Sequence, residues 1–423
     1  MEDIFKEIVH ILHHDYAGWK DKEGWDDPAY FLQKLKKTSE LNNDSFTNLV
    51  KEYLLDFNDQ HILFYDLKAA KENPGDRGFR VRRYEDRLYI TEIKTEKRLK
   101  KGMFFKTLGG FTIPELKERH NRMLNENHAE RENWTPILSL YSSGEVEDVS
   151  GNVLKIDFQH YEKGEYKPVY SVKNLEQSTL LMTMTDFCDP DAIRKMVEEN
   201  QELINSTDNW IIDVRVNYGG SDASYYCLLP YLMPEEGAEL ADKEERMLFN
   251  CTAANAERQL AGLSEQIKKT QDEQSQVFLT AWKRKWEKNC GNGFVEFDFA
   301  EFIPDTFVKG FPYPKSVIVM TDVFCGSAGD SFVEHCKKSS KVTVIGRPTK
   351  GLNDYANLAV KRWEQGFELW YPTSRLSRID HGLGMTGKGI EPHILIPWTP
   401  KHIEIDVDMQ AALNLLEKKK FTK

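Results

Sequence analysis

Apolar residues in the first 55 positions recur at helical spacing. Ile4, Ile8, Ile11 and Leu12 share one face, and a second apolar helix runs through Tyr30, Phe31, Leu32 and Leu35. Asp44 or Ser45 caps a third helix, from Phe46 to about Leu55. The period changes at DFNDQHILFYD, where Asn58 and Asp59 make a turn and Ile62 and Phe64 open a short strand. Between Gly78 and about Leu124 the chain reads as a small β-rich module. RGFRVRRY and RLYITEI are strands separated by Glu85 and Asp86, a turn follows at Lys101-Gly102, and MFFKTLGG leads to a helix near Pro114. Proline suits the first turn of a helix, where its missing N–H costs nothing.

From about Leu154 strands and helices alternate. TLLMTMTDF reads as a buried strand, DPDAIRKMVEENQELI as a capped helix, and NWIIDVRVN as a strand ending in Tyr218-Gly219-Gly220. KSVIVMTD is a further buried strand, SAGDSFVEHCKKS a helix and KVTVIGR a strand. This rhythm implies a mainly parallel sheet covered by helices, hence an α/β class. A polar, helical stretch over 235–292 interrupts it and reads as an insertion, a cap in character. Three segments result: a helical region over 1–70 that ends in a strand, a β-module over 76–130, and an α/β core over 150–423.

Composition narrows the function. The 423 residues carry a formal charge of −11, with 30% charged and 40% hydrophobic positions. A nucleic-acid binder needs a basic face to neutralise phosphates, and the basic clusters at Arg77–Arg87 and Lys94–Lys106 are interleaved with acids. No run approaches the roughly 20 apolar residues that span a bilayer. The N-terminus, MEDIFKEIVHILHHDYAGW, has acids where a signal peptide has its basic region. The six cysteines lie in the C-terminal half without a CxxC pair, which suits reduced thiols in a cytoplasmic protein better than a zinc knuckle or a disulfide scaffold. His10, His13 and His14 read as helix-surface residues, because no further ligand set joins them. No metal or cofactor is expected.

Two segments carry candidate chemistry. In VIVMTDVFCGSAGDSF a buried strand runs into a turn and Ser327 opens a helix. A helix N-terminus presents unpaired N–H groups and partial positive charge, and the N–H of Ala328 is suited to hold an oxyanion. Ser is equally a favoured N-cap, so the segment alone is compatible with an ordinary helix start. In NWIIDVRVNYGGSD a buried strand ends in Gly219-Gly220, which either exposes N–H groups to a substrate or makes a plain β-to-α turn.

Taken together, IIDVRVNYGG and CGSAGD, followed by VIGRPTKG and GKGIEPH, resemble the ordered motifs of the tail-specific (C-terminal-processing) and tricorn-core serine peptidases. The resemblance spans roughly residues 180–397. It implies a ClpP/crotonase-like sheet-and-helix sandwich paired with a PDZ-like module, for which Lys101–Gly109 is a loose match. It also implies a peptide or unfolded-protein substrate, Ser327 as nucleophile, and an oxyanion hole from Ala328 and Gly220, with Gly219 as a further donor. The tail-specific branch has a lysine base in a "TxGKG" stretch. Here Leu352 stands at that position and Lys350 comes two residues early, in a segment that reads as exposed. The tricorn-like branch takes a histidine from a "DxH" stretch, and Asp59-Gln60-His61 matches it, with His381 in reserve. Imidazole suits a general base, since it is largely neutral at working pH. The branch's acid falls at Thr386, so Asp354 and Glu391 are substitutes for the third partner, and His393 replaces the closing Asp of the last motif. The expected activity is that of a serine endopeptidase. The alternatives are a catalytically impaired peptide-binding protein on the same fold and a crotonase-like acyl-CoA enzyme.

Overall fold

The stripe of apolar residues in the first helix is buried. In the computed structural model Ile4, Ile8, Ile11 and Leu12 of helix Glu2–His14 pack with Phe31 and Leu35 of helix Pro28–Lys37 and with Phe46 and Val50 of helix Asn43–Leu54. Each such side chain contributes about 1.5–3 kcal/mol on leaving water. The third helix is capped by Asn42, whose side chain accepts the Ser45 N–H, two or three residues earlier than the sequence suggests. The structure describes residues 1–423 apart from 39–40, 69–75, 176–177, 243, 271–272, 298–305 and 422–423.

The chain forms two units, each assembled from separate stretches. The first comprises residues 1–72, 239–308 and 352–386, and the second 73–238, 309–351 and 387–423. These borders differ from the three segments read along the sequence.

In the first unit the N-terminal helices cover a five-stranded sheet centred on the long strand Phe367–Leu376. Leu63–Asp66 and Tyr355–Arg362 pair with it antiparallel, as does Met247–Cys251, which in turn pairs with Gly293–Glu296. The polar stretch after residue 235 contains two helices, Ala253–Lys269 and Glu273–Asn289, packed together over a small core of Phe249, Leu263, Trp286 and Phe297. Residues 243 and 271–272 of that stretch lie outside the described residues.

The second unit contains the six-stranded sheet that carries the α/β rhythm. Its order is Ile394–Leu395, Val342–Gly346, Ser316–Thr321, Asn209–Asp213, Thr179–Met184 and Tyr170–Leu175. All neighbours are parallel except the last pair. Every residue of Ser316–Thr321 is buried, as a strand covered on both faces requires. Helix Val407–Phe421 seals one face with Ala412 and Leu416. The same unit holds the β-module. Its sheet runs Phe79–Tyr84, Arg87–Ile93, Phe104–Leu108, Ser143–Glu147 and Val153–Asp157, so it continues beyond residue 130. Its helix Ile113–Arg119 starts at a Thr112–Glu115 capping box.

Candidate active site

Strand Ser316–Thr321 ends at Asp322, and the chain turns through Phe324–Cys325 into helix Ala328–Lys337. Ser327 sits at the turn with φ +58° and ψ −123°. A non-glycine residue there is strained by about 1–3 kcal/mol and persists only where its surroundings fix it. Asp330 supplies the fixation. Its fully buried carboxylate accepts the Ser327 N–H at 2.8 Å through Oδ2 and the Gly351 N–H at 2.8 Å through Oδ1. On the other side Gly219 (φ +75°) approaches so closely that a Cβ there would stand 2.6 Å from Ser327 Cβ. Only glycine satisfies both demands.

The donors expected for an oxyanion are not equivalent. The Gly219 N–H donates to the Asn217 side chain at 3.0 Å. That N–H is thus already engaged, where the sequence suggests a free donor. No acceptor among the described residues takes the N–H of Gly220 or of Ala328. Gly220 (φ +141°) is held against Phe187, where any Cβ would clash with backbone.

His61 belongs to the first unit. Asp59 shapes its turn by accepting the His61 N–H at 2.9 Å, and Tyr16 anchors Asp59 with a 2.7 Å hydrogen bond. His61 Nδ1 lies 2.7 Å from the Tyr355 carbonyl. A carbonyl only accepts, so Nδ1 carries a proton, and in the neutral ring the lone pair is then on Nε2, the tautomer that a general base requires. Asp354 is buried and receives the Met385 N–H, the Thr386 N–H and the Thr386 hydroxyl at 2.9, 2.7 and 2.6 Å. Glu391 is exposed in the second unit, and its carbonyl accepts from Lys337. His381 is exposed at the end of the turn Ser377–His381.

Against known proteins, the model of Peptidase family S41 matches residues 178–396, just over half of the chain. The chain belongs to peptidase family S41. By that membership it is a serine-type peptidase. Its fold is similar to that of mature CPAF, at a TM-score of 0.66, 14% identity and coverage of 97% of this chain and 95% of that one. CPAF complexed with lactacystin aligns similarly, at a TM-score of 0.67 and 14% identity over 99% and 97%. The tricorn protease aligns at a TM-score of 0.43 and 13% identity, covering 99% of this chain and 36% of that one. Among curated protein sequences none matches significantly. Ser327, Gly219 and Gly220 fall within the S41 match, whereas His61 precedes it. Among the described residues no helix of this S41 peptidase is long and apolar enough to cross a membrane.

The S41 motifs acquire physical reasons here. In RVN, Arg215 chelates Asp213 and Asp406, and the buried Asn217 bridges the Gly219 N–H and the Met184 carbonyl. His393, in place of the motif's closing Asp, accepts the Val344 N–H at 3.0 Å through Nδ1 and so keeps an acceptor at that position. Asp322 and Asp408 are bridged by Arg347, and Arg82 adds two bonds of 2.9 and 2.6 Å to Asp322. Burial opposes ionisation of Asp322, and the two guanidiniums outweigh it, so its carboxyl lies well below the usual range. Sequence reading missed this network. The signal was present as charged residues inside otherwise apolar motifs.

Lys350 corrects a second expectation. Its segment is not exposed: Arg131 binds the carbonyls of Thr349 and Lys350 at 2.8 and 2.9 Å, and the Lys350 N–H donates to the Cys325 carbonyl at 2.7 Å. Burial lowers the Lys350 amine below its ordinary range. Lys350 is thus joined through the main chain to the turn that carries Ser327.

Proposed function

We propose that this S41 peptidase is an endopeptidase in which Ser327 is the nucleophile and His61 the general base. Ser327 Oγ attacks the peptide carbonyl while His61 Nε2 takes its proton, and the N–H groups of Ala328 and Gly220 receive the oxyanion. The imidazolium then protonates the leaving amine, and water, activated by the same nitrogen, hydrolyses the acyl-enzyme. The observation that carries the reading is the strained Ser327, fixed by Asp330 at a helix start beside two uncommitted N–H groups. The Tyr355 carbonyl takes the orienting role that an acid fills in a Ser-His-Asp triad. It fixes the tautomer and supplies no negative charge, so the imidazolium is stabilised less than in a full triad. We further propose that the β-module at 79–157 is PDZ-like and that the protein acts in the cytoplasm on peptides or unfolded chains.

A second reading has its own support. A buried lysine with a depressed pKa is a recognised general base, and Lys350 lies in the same unit as Ser327. One experiment decides between them. Fluorophosphonate labelling and peptide hydrolysis are measured for Ser327→Ala, His61→Ala and Lys350→Ala. We expect Ser327→Ala to lose both, His61→Ala to lose about 10³-fold in rate, and Lys350→Ala to stay within about 10-fold. A fully active His61→Ala beside a dead Lys350→Ala refutes the histidine base. Unchanged turnover in Ser327→Ala refutes the nucleophile.

A further inference from the structure

The two-residue ladder beside the nucleophile has two unlike faces. Asn217 pairs with Cys325 and both are buried, while Val216 pairs with Phe324. Side chains alternate along a strand and registered partners share a face, so Val216 and Phe324 stand together on the outer side. They are 38% and 44% exposed. Tyr218, one more alternation along, is 62% exposed, and its ring meets that of Tyr166 edge to face with centroids 5.3 Å apart.

These groups are positioned rather than loose. The Tyr166 hydroxyl lies 2.8 Å from the Asp186 carboxylate, and the Tyr218 N–H donates to the Thr185 carbonyl at 3.0 Å. The Arg82 guanidinium, 5.5 Å from the Phe324 ring, is committed to Asp322. Pinned apolar side chains facing water mark a place where something apolar is to be received. Along the chain this place adjoins the Ser327 turn: Tyr218 precedes Gly219, whose backbone approaches Ser327, and Phe324 comes three residues before Ser327.

We infer that Val216, Phe324, Tyr218 and Tyr166 form a ledge that receives a bulky apolar side chain of the substrate beside the scissile bond. The enzyme therefore selects peptides carrying leucine, phenylalanine or similar residues there. The inference rests on Ser327 being the nucleophile, and the test separates the two. Fluorescein-labelled hexapeptides with Leu, Phe, Asp or Lys at one central position, in an otherwise Gly/Ala/Ser sequence, are titrated into Ser327→Ala protein by anisotropy. The Leu and Phe peptides should bind about 10-fold tighter than the Asp and Lys peptides, the scale of one modest apolar contact. Adding Tyr218→Ser or Phe324→Ser should reduce that preference to about 3-fold or less. Val149→Ser, on an exposed turn elsewhere in the unit, should leave it intact. Equal binding of all four peptides, or a preference unchanged in both ledge variants, overturns the ledge. Wild-type protein is treated in parallel with fluorophosphonate. Labelling of Ser327 without a binding preference overturns the ledge alone. A preference without labelling overturns the nucleophile and, with it, the ledge's place beside a scissile bond.

Discussion

Asp330→Asn should separate stability from chemistry. The substitution keeps the side-chain shape but turns one acceptor oxygen into a donor, so one of the two N–H groups it holds, Ser327 or Gly351, faces an NH₂ group. A buried hydrogen bond to a charged acceptor contributes about 1.5–3 kcal/mol. The conformation it maintains at Ser327, φ +58°, costs about 1–3 kcal/mol. The two terms are comparable, so when the bond to Ser327 is lost the backbone relaxes to negative φ and recovers most of the strain. The net loss of stability should then be only about 0–2 kcal/mol. Ser327, the proposed nucleophile, however moves away from its site, and a displacement of about 1 Å typically costs about 10²-fold in rate. Urea unfolding and the pseudo-first-order rate of fluorophosphonate labelling measure the two quantities on one preparation. Labelling within about twofold of wild type would show that Asp330 does not hold the strained turn. A loss of labelling that merely follows the unfolded fraction would show that it acts through stability alone.

Two further expectations concern buried charge. Burial raises the Asp222 carboxyl to about 6, with Asp330 and Glu334 adding to the effect against the Ser331 and Tyr225 hydroxyls. Its folded value lies above the unfolded one of about 3.9, so the folded state binds an extra proton between them, and stability falls by about 3 kcal/mol as pH rises through that window. Asp222→Asn should therefore unfold at higher urea than wild type at pH 8 and at nearly the same urea at pH 4; an equal difference at both pH values would refute this. Arg347→Ala leaves Asp322 and Asp408 buried with fewer partners and should cost about 3–5 kcal/mol at pH 7. Since the Asp322 carboxyl is depressed, the network's contribution is present above pH about 4 and lost as pH falls, so the melting difference should shrink toward pH 3.

Much of the second unit was legible because its strands are continuous apolar runs bounded by turn residues. VIVM, WIID and VTVIG appear where their composition puts them. The helix read over DPDAIRKMVEENQELI is split at Asn200 into Pro190–Glu199 and Gln201–Ser206. The strands Ser143–Glu147 and Val153–Asp157 were not foreseen, for only Gly144, Val146 and Ile156 among them are buried and the alternation is weak. At the site, the strand–turn–helix around Ser327 was readable from its residues. The bond from the Gly219 N–H to Asn217 was not, because it depends on where the Asn217 side chain turns. Lys350 looked exposed because charged neighbours usually mean solvent, yet Arg347 and Asp354 are themselves buried in hydrogen bonds. The partner of His61 was out of reach altogether: a main-chain carbonyl leaves no mark in residue identity.

The position of His61 also has a consequence in time. The strand that follows it, Leu63–Asp66, lies on Phe367–Leu376, and its Nδ1–H lies on the Tyr355 carbonyl, so both supports come about 300 residues later in the chain. At roughly 5–20 residues per second of synthesis, the emerging N-terminal helices wait about 15–60 s for the strand that completes their sheet. During that wait the imidazole has no fixed tautomer or orientation. Ser327 is made before Tyr355, so a polypeptide that stops between them carries the proposed nucleophile without the carbonyl that orients the proposed base. On the proposed mechanism a nascent or prematurely ended product would thus be inert, and hydrolysis would begin only once vectorial synthesis has passed the last strand of the first unit.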